Sequence, residues 1–178
     1  MTRFVALFRG INVGKAKRIA MADLRTLMQT LGFTDVRTLL NSGNAVFDST
    51  DGTAPQHAKD IQAAVAKTLG VDALVIVKSA KEIDAIVAGN TLGTIATDPS
   101  RLLVAMTQDA KTLAQLKKIA DTDWEAEELH LGKHAAYLWC ANGILESKVA
   151  APLLKDLANT GTTRNWATLE KIQALMQA

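Results

Sequence analysis

The order of apolar segments in the first 78 residues is the feature that most constrains the fold of this chain. Four short apolar runs rich in strand-forming residues alternate with two segments whose apolar residues follow helical spacing. The runs lie at 4–8, 36–40, 45–47 and 73–77, and the helical segments lie at 21–31 and 55–69. The resulting order of strand, helix, strand, strand, helix, strand predicts the split βαβ arrangement of a ferredoxin-like unit.

A similar order recurs less regularly in the second half of the chain. A strand is predicted at 102–107, followed by a helix that Asp109 caps. Two hairpin strands are predicted at 125–131 and 134–140, a further helix at 148–158 and a rudimentary last strand at 162–164. The predicted hairpin turns about Gly132-Lys133, and Asn165 is placed to cap a final helix that buries Trp166 and the apolar residues after it. The second half therefore also predicts a mixture of strands and helices.

These patterns predict an α+β chain built from two ferredoxin-like halves packed together, the second less regular. The first half is expected at 1–78 and the second α+β half, with the C-terminal helix, at 101–178. Between them, 79–100 are expected to form a helix and a linker, and Ser79 with Glu82 matches a capping box at the start of that helix.

The composition favours a cytoplasmic protein without a membrane segment. Cys140 is the only cysteine, so no internal disulfide can form, and a single thiol suits a reducing compartment. The apolar runs are far shorter than the roughly 20 residues of a membrane-spanning helix. The net charge of +2 is small, but residues 1–40 hold seven Lys or Arg and two Asp, a local charge of +5.

The segment from Arg9 to Lys15, which includes Gly10, Asn12 and Gly14, follows a predicted strand and precedes a helix. Loops in this position often hold phosphate groups with backbone N–H donors, and the guanidinium, amide and ammonium groups suit a carboxylate or phosphate. The glycine spacing fits neither a P-loop nor a dinucleotide fingerprint, so no cofactor is predicted. The alternative interpretation is a solvated surface loop.

The residues Asn41-Ser42-Gly43-Asn44 form the tip of the first predicted hairpin. Ser42 and Asn44 could present a hydroxyl and an amide to a ligand, although ordinary turn chemistry explains the same residues equally well. No adjacent histidine and no nucleophile elbow accompanies Ser42, so it is not predicted to be a nucleophile.

The histidines His130 and His134 invite a metal-site hypothesis, with two glutamates close by. A two-residue turn at Gly132-Lys133 would place the two imidazoles on opposite faces of the hairpin, while a three-residue turn would reverse that parity. We therefore predict no metal site. Cys140 lies in an apolar strand, where a buried and inert thiol is expected.

Three polar stretches of the chain together resemble a known family. They are Arg9-Gly10-Ile11-Asn12-Val13-Gly14, the Ser42-Gly43-Asn44 turn with the strand after it, and Thr163-Arg164-Asn165-Trp166. In these motifs and in length the chain is similar to the bacterial proteins grouped as domain-of-unknown-function family 1697. Lys15 stands where that family usually has a second glycine. The resemblance implies an α+β fold of two ferredoxin-like halves and implies no chemistry, because the activity of the family is not established.

The resemblance gives a reason to join the three stretches into one expected site. Its expected ligand-binding residues are Arg9, Gly10, Asn12, Gly14, Lys15, Ser42, Asn44, Arg164 and Asn165, converging on a polar pocket near the join between the halves. The expected partner is a small anionic or phosphorylated ligand such as a nucleotide. For Arg164, pairing with a carboxylate of the second half is the alternative.

Two other function classes remain open at this point. The first is sequence-nonspecific nucleic-acid binding, in which the basic loop and Arg37 follow a phosphate backbone. The second is an enzyme, for which no catalytic residue is assigned because Asp23, Asp35 and Asp48 are poor candidates for a general base. The sequence defines neither the oligomeric state nor the identity of the ligand.

Overall fold

Eight strands form two separate four-stranded antiparallel sheets in the computed structural model, which describes residues 1–178. The chain divides into two compact units, each with one sheet and its helices. Unit 1 comprises Met1–Ile83 and Ile172–Ala178, and unit 2 comprises Asp84–Lys171. The α+β class predicted from the sequence is therefore present in both units. The boundary between the two units, expected after residue 78, lies after Ile83, within the helix at Ala80–Ala88. The last seven residues, expected in the second half, are grouped with unit 1.

The sheet of unit 1 has the strand order β2-β3-β1-β4. These strands are β1 (Thr2–Phe8), β2 (Thr34–Leu39), β3 (Asn44–Ser49) and β4 (Val75–Ser79). β1 lies inside the sheet and pairs antiparallel with β3, where Phe4 lies opposite Phe47, and with β4. All residues of β1 from Phe4 to Phe8 are buried, as expected for an apolar run that forms an internal strand.

Two helices of unit 1 contribute to the core on one face of this sheet. They are α1 (Met21–Thr30) and α2 (Ala54–Ala64), and α2 continues as a π-helical segment over Val65–Leu69. Thr53 caps α2 by accepting a hydrogen bond from the amide of Gln56, and Gly70 ends the π-helical segment with a left-handed φ of 68°. The aromatic residues predicted for the core, Phe4, Phe8, Phe33 and Phe47, are all buried there.

The helix α3 (Ala80–Ala88) starts with the predicted capping box. The Ser79 amide donates to Glu82 Oε2 at 2.8 Å, and the Glu82 amide donates to Ser79 Oγ at 3.2 Å. These reciprocal bonds satisfy two backbone donors that the first turn of a helix leaves without partners. The local pattern therefore identified the start of this helix correctly.

The sheet of unit 2 has the order β6-β7-β5-β8, which repeats the strand order of unit 1. Its strands are β5 (Leu102–Thr107), β6 (Glu128–Leu131), β7 (Ala136–Trp139) and β8 (Gly161–Asn165). The rudimentary fourth strand predicted at 162–164 is thus a full edge strand, paired antiparallel with β5. Cys140 follows β7 as a buried free cysteine, and burial raises the pKa of its thiol.

The helices of unit 2 are α4 (Ala110–Leu113), α5 (Lys117–Ala120) and α6 (Ala150–Leu157), with a 3₁₀ turn at Ala114–Leu116. The last helix, α7 (Trp166–Gln177), begins in unit 2 and ends in the segment Ile172–Ala178 of unit 1. Asp109 caps α4 as predicted by accepting a hydrogen bond from the amide of Thr112 at 2.7 Å. The single helix expected after this cap is interrupted by the 3₁₀ turn, although its apolar face remains buried. None of the helices reaches the length and apolarity that crossing a bilayer demands.

Candidate functional site

The segment between β1 and α1 is an irregular loop organised around one buried side chain. Ile11 is completely buried, whereas Val13 and the residues from Gly14 to Arg18 are exposed. Gly10, Asn12, Gly14 and Lys17 all have positive φ, between 52° and 69°. The loop therefore folds back on itself around Ile11 and presents its basic residues to solvent.

The side chain of Asn12 holds this loop in shape. Its Nδ2 donates to the carbonyl oxygens of Ile19 and Asn41, both at 2.8 Å, and its Oδ1 accepts from the Ile19 amide at 2.8 Å. The Asn12 backbone amide donates to the Lys17 carbonyl at 3.0 Å. Both side-chain donor positions are thus used within the protein, so Asn12 positions the loop rather than offering a donor to a ligand.

The first two polar stretches that the sequence singled out meet in unit 1. Gly43 has a φ of 95°, and a β-carbon there would lie 2.7 Å from Ile11 Cδ1 and 2.8 Å from Phe8 Cβ. The Phe8 amide donates to the Gly43 carbonyl at 3.0 Å. Only glycine allows this close contact, because any side chain at position 43 would collide with Ile11 and Phe8. The hairpin tip and the loop therefore form one structural unit.

The two polar side chains of the hairpin tip have different surroundings. Asn44 is completely buried, and its Nδ2 donates to the Leu39 carbonyl at 2.8 Å. Ser42 is exposed, with its Oγ 3.5 Å from Asn44 Nδ2. Asn44 therefore stabilises the turn, and only the Ser42 hydroxyl faces solvent.

The positive charge of the first forty residues is concentrated on this loop. Arg3 binds both Asp48 and Asp35, and Arg37 lies 3.1 Å from Asp35. No salt bridge engages Lys15, Lys17 or Arg18, although Arg18 Nη1 donates to the Gly14 carbonyl at 3.0 Å. Arg9 is half-buried, and this burial lowers the pKa of its guanidinium.

A surface pocket of about 380 Å³ lies beside the loop, at the start of α1. Its lining residues are Asn12, Arg18, Ile19, Ala20, Met21 and Asn41. Ala20 occupies the N-cap position of α1 and provides no side-chain hydrogen bond, so the amides of the first turn remain available as donors. Sequence reasoning missed this pocket, and the signal that could have found it was the lack of Ser, Thr, Asp or Asn before Met21.

The third polar stretch belongs to unit 2. Arg164 is buried in β8, and burial lowers the pKa of its guanidinium to about 10. Its Nη1 donates hydrogen bonds to Thr162 Oγ1 at 3.0 Å and to the Thr163 carbonyl at 2.8 Å. Asn165 caps α7, as predicted, by accepting a hydrogen bond from the Thr168 amide at 2.8 Å. Both side chains thus have structural partners within unit 2.

The second hairpin has a two-residue turn that lies one position beyond the predicted one. Leu131 pairs with Ala136 and the Gly132 amide donates to the Ala135 carbonyl at 2.9 Å, so the turn residues are Lys133 and His134 instead of Gly132 and Lys133, and the three-residue alternative was wrong. His130 lies opposite Tyr137 and stacks on its ring at 6.0 Å, whereas His134 lies in the loop. No group of three His, Cys, Asp or Glu side chains is arranged to hold a metal ion.

Comparison with known proteins supports the fold and identifies the family. A conserved bacterial protein, SP0830 from Streptococcus pneumoniae, has a similar structure with a TM-score of 0.82 and 24% sequence identity, over 98% of each chain. No curated protein matches the chain. The family described as "Protein of unknown function (DUF1697)" matches residues 1–137, which include the basic loop and the first hairpin. Because this match covers most of its length, the chain belongs to the DUF1697 family.

Proposed function

We propose that the chain binds a small anionic or phosphorylated ligand, such as a nucleotide, at the basic loop of unit 1. The observation that carries this proposal is the cluster of Lys15, Lys17 and Arg18, three exposed cations of one loop without a salt bridge. Like charges held close together repel one another, and an anion that binds among them relieves that repulsion.

The pocket at the start of α1 supplies further donors for this ligand. A phosphate or carboxylate in it would accept hydrogen bonds from the Arg18 guanidinium and from the first-turn amides of α1. The volume of about 380 Å³ is near the lower end of the range for ligand pockets, which suits a small phosphorylated molecule. Asp23 lies in the first turn of α1 and would oppose an anion there.

The expected site residues divide into groups with different proposed roles. Arg9 and Lys15 provide positive charge, and Ser42 provides a hydroxyl. A β-carbon at Gly10 or Gly14 would meet no atom within 4 Å, so a ligand can approach the backbone there. Asn12 and Asn44 maintain the loop and the turn, and we assign Arg164 and Asn165 structural roles in unit 2, on the hydrogen bonds described above.

Thermal unfolding in the presence of phosphate-containing probes tests this proposal. We expect inorganic phosphate and adenosine monophosphate to raise the Tm at millimolar concentration, because a ligand that binds only the folded state stabilises it. The double variant Lys15→Ala/Arg18→Ala should lose most of this shift. The charge-matched control Lys59→Ala/Lys67→Ala removes two exposed lysines from the α2 region and should keep it.

Removing the Asp23 carboxylate is a second test, in which the effect of phosphate on the Tm should increase instead of decrease. Asp23→Asn is expected to increase the phosphate-induced shift of the Tm, because a negative charge leaves the first turn of α1. Equal shifts in all four proteins, or no shift with any probe, would contradict the proposal.

Nucleic-acid binding is the alternative and is less well supported. It requires an extended positive surface, but Arg37, which was expected to contribute to it, is paired with Asp35. Electrophoretic mobility shifts with single-stranded and duplex oligonucleotides distinguish the two proposals. Oligonucleotide binding that weakens steeply with salt, without a response to adenosine monophosphate, would favour the alternative.

We also propose a ferredoxin-like class for each unit and a cytoplasmic location. The orders β2-β3-β1-β4 and β6-β7-β5-β8, with helices between the strands, support the fold class. The buried free thiol of Cys140 is compatible with a reducing compartment.

A further inference from the structure

A pocket of unit 2 lies between the helices α5 and α6, apart from the basic loop of unit 1. Its volume of about 570 Å³ falls within the range of roughly 300–1,000 Å³ that is usual for small-molecule sites. The buried and half-buried side chains that line it are apolar, and we call them the floor: Ile119, Trp124 and Pro152. The charged side chains that line it are all exposed, and we call them the rim: Lys118, Lys155 and Asp156.

The helix α6 turns one side to the core of unit 2 and another side to this pocket. Leu153 and Leu157 are buried in the core cluster. Ala151, Pro152 and Lys155 line the pocket instead, and their spacing of three and four residues places them together on a second side of the helix. The pocket is therefore a groove beside the packed side of α6, with part of its wall made by this helix.

The indole ring of Trp124 forms the opposite part of the floor. Its Nε1 donates a hydrogen bond to the Ile119 carbonyl at 2.8 Å, so the ring has a fixed position and its only polar atom has a partner. The half-buried ring packs against the core cluster and also lines the pocket. No other aromatic ring of the chain stacks on Trp124. Its accessible part is therefore an ordered apolar surface against which the ring of a ligand can pack.

The rim of the pocket carries a net positive charge. Lys118 and Lys155 are exposed, and neither takes part in a salt bridge. Asp156 is the one carboxylate among the lining residues and is also without a salt bridge. Two ammonium groups and one carboxylate give the rim a formal charge of +1, which attracts an anion and repels a cation.

The apolar floor and the positive rim together select an amphipathic anion. A small inorganic anion would leave the floor in contact with water, and an uncharged ring would leave the two ammonium groups without a counter-charge. A planar ring that covers Trp124 and Pro152 removes apolar surface from water, while a carboxylate on the same molecule remains at the partly solvated rim. Charge and shape therefore favour the same class of ligand.

We propose that this pocket binds a small aromatic carboxylate. The ring packs on the floor beside Trp124 and Pro152, and the carboxylate pairs with the rim lysines Lys118 and Lys155. The volume of about 570 Å³ accommodates an acid with a single ring. This proposal is independent of the proposed anion site of unit 1.

Titration of the full chain with 4-fluorophenylacetate, followed by its ¹⁹F resonance, tests the proposal. We expect saturable binding in the millimolar range and a shift of the indole N–H resonance of Trp124, which the variant Trp124→Phe identifies. The uncharged analogue 2-(4-fluorophenyl)ethanol has the same ring and should bind at least about three-fold more weakly, because it lacks the charge that the lysines attract. Equal affinity for the acid and the alcohol, or binding that leaves the Trp124 resonance unchanged, would overturn the proposal.

Three variants of unit 2 locate the site. Lys155→Gln should weaken binding of the acid about three-fold, the effect of losing one exposed charge pair, and Asp156→Asn should strengthen it. Lys111→Gln removes an exposed lysine of the same unit outside the pocket and should leave the affinity unchanged. The same affinity in all three variants, or no binding to the wild-type chain, would overturn the proposal.

Two further measurements separate this site from its rivals. The double variant Lys15→Ala/Arg18→Ala should bind the acid normally, and Lys155→Gln should keep the phosphate-induced shift of the Tm, so the two proposals fail separately. Loss of acid binding in the double variant would place the acid at the basic loop and overturn the proposal. Absence of acid binding, together with a dimer in sedimentation that Ala151→Glu dissociates, would overturn it in favour of a second copy of the chain.

Discussion

At the scale of single residues, Gly43 shows how one missing side chain shapes the candidate site. Its φ of 95° and its distance of 2.7 Å between a hypothetical β-carbon and Ile11 Cδ1 are two separate reasons for glycine. Gly14 has a similar backbone conformation, with a φ of 66°, but open space where a β-carbon would be. Substitutions at Gly43 and Gly14 therefore distinguish the cost of a steric collision from the cost of backbone strain alone.

We predict that Gly43→Ala lowers the free energy of unfolding by about 2–4 kcal/mol, the sum of backbone strain and overpacking. Gly14→Ala, with strain alone, should cost about 1 kcal/mol. Urea unfolding followed by circular dichroism measures both values. Similar losses in the two variants would contradict the assigned role of the contact with Ile11.

The asparagines of the family motifs illustrate the limit of sequence reasoning at this scale. Asn12 and Asn44 were expected to bind a ligand, because polar side chains in loops are typical of binding sites. In the structure their amides bond to backbone carbonyls of Ile19, Asn41 and Leu39. The sequence identifies an amide, but its partner is decided by which segments fold next to it.

At the scale of elements, helix starts were predicted well where the cap is local. The capping box at Ser79 and the caps at Asp109 and Asn165 all form within three residues of the capping side chain. The position of the turn between β6 and β7, at Lys133-His134 instead of Gly132-Lys133, and the 3₁₀ turn between α4 and α5 were not predicted. Both depend on how the flanking segments pack, since Gly132-Lys133 suited a two-residue turn equally well.

The cap of α7 provides a prediction at this scale. Asn165→Ala should destabilise the chain by about 1 kcal/mol, the usual cost of losing an N-cap, and Asn165→Asp should restore most of that loss. Because the Asn165 side chain caps α7, its loss should leave the phosphate-induced shift of the Tm unchanged. Chemical unfolding and the phosphate titration together check the prediction, and loss of the shift in Asn165→Ala would instead return this residue to the binding site.

At the scale of the whole molecule, Arg3 connects the beginning of the chain with its end. Its guanidinium binds the carboxylates of Asp48 and Asp35 and donates to the carbonyl oxygens of Met176 and Ala178. The hydrogen bond from Arg3, aided by its charge, holds the pKa of Asp48 below its ordinary value of 3.8. The stability from this pair is complete above about pH 4 and is lost as the pH falls through the lowered pKa.

We therefore predict that Arg3→Ala is less stable than the wild type by about 1–2 kcal/mol at pH 7, after allowing for partial solvent screening. Most of this difference should disappear below the pKa of Asp48, because the protonated carboxyl no longer attracts the guanidinium. Urea unfolding between neutral and strongly acidic pH checks it, with Lys59→Ala as the control cation. A difference that stays constant down to acid pH would contradict the role of Asp48.

The sequence by itself determined the order of strands and helices, the aromatic core of unit 1, the local caps and the family. These features depend on periodicity and on contacts between near neighbours, which are written directly in the chain. Only the tertiary structure decided that the basic loop and the first hairpin tip meet through Ile11 and Gly43, that Arg3 pairs with Asp48, and that His57 is buried against Phe4 and Phe33. Each of these depends on residues far apart in sequence, and no local pattern specifies which distant atoms become neighbours.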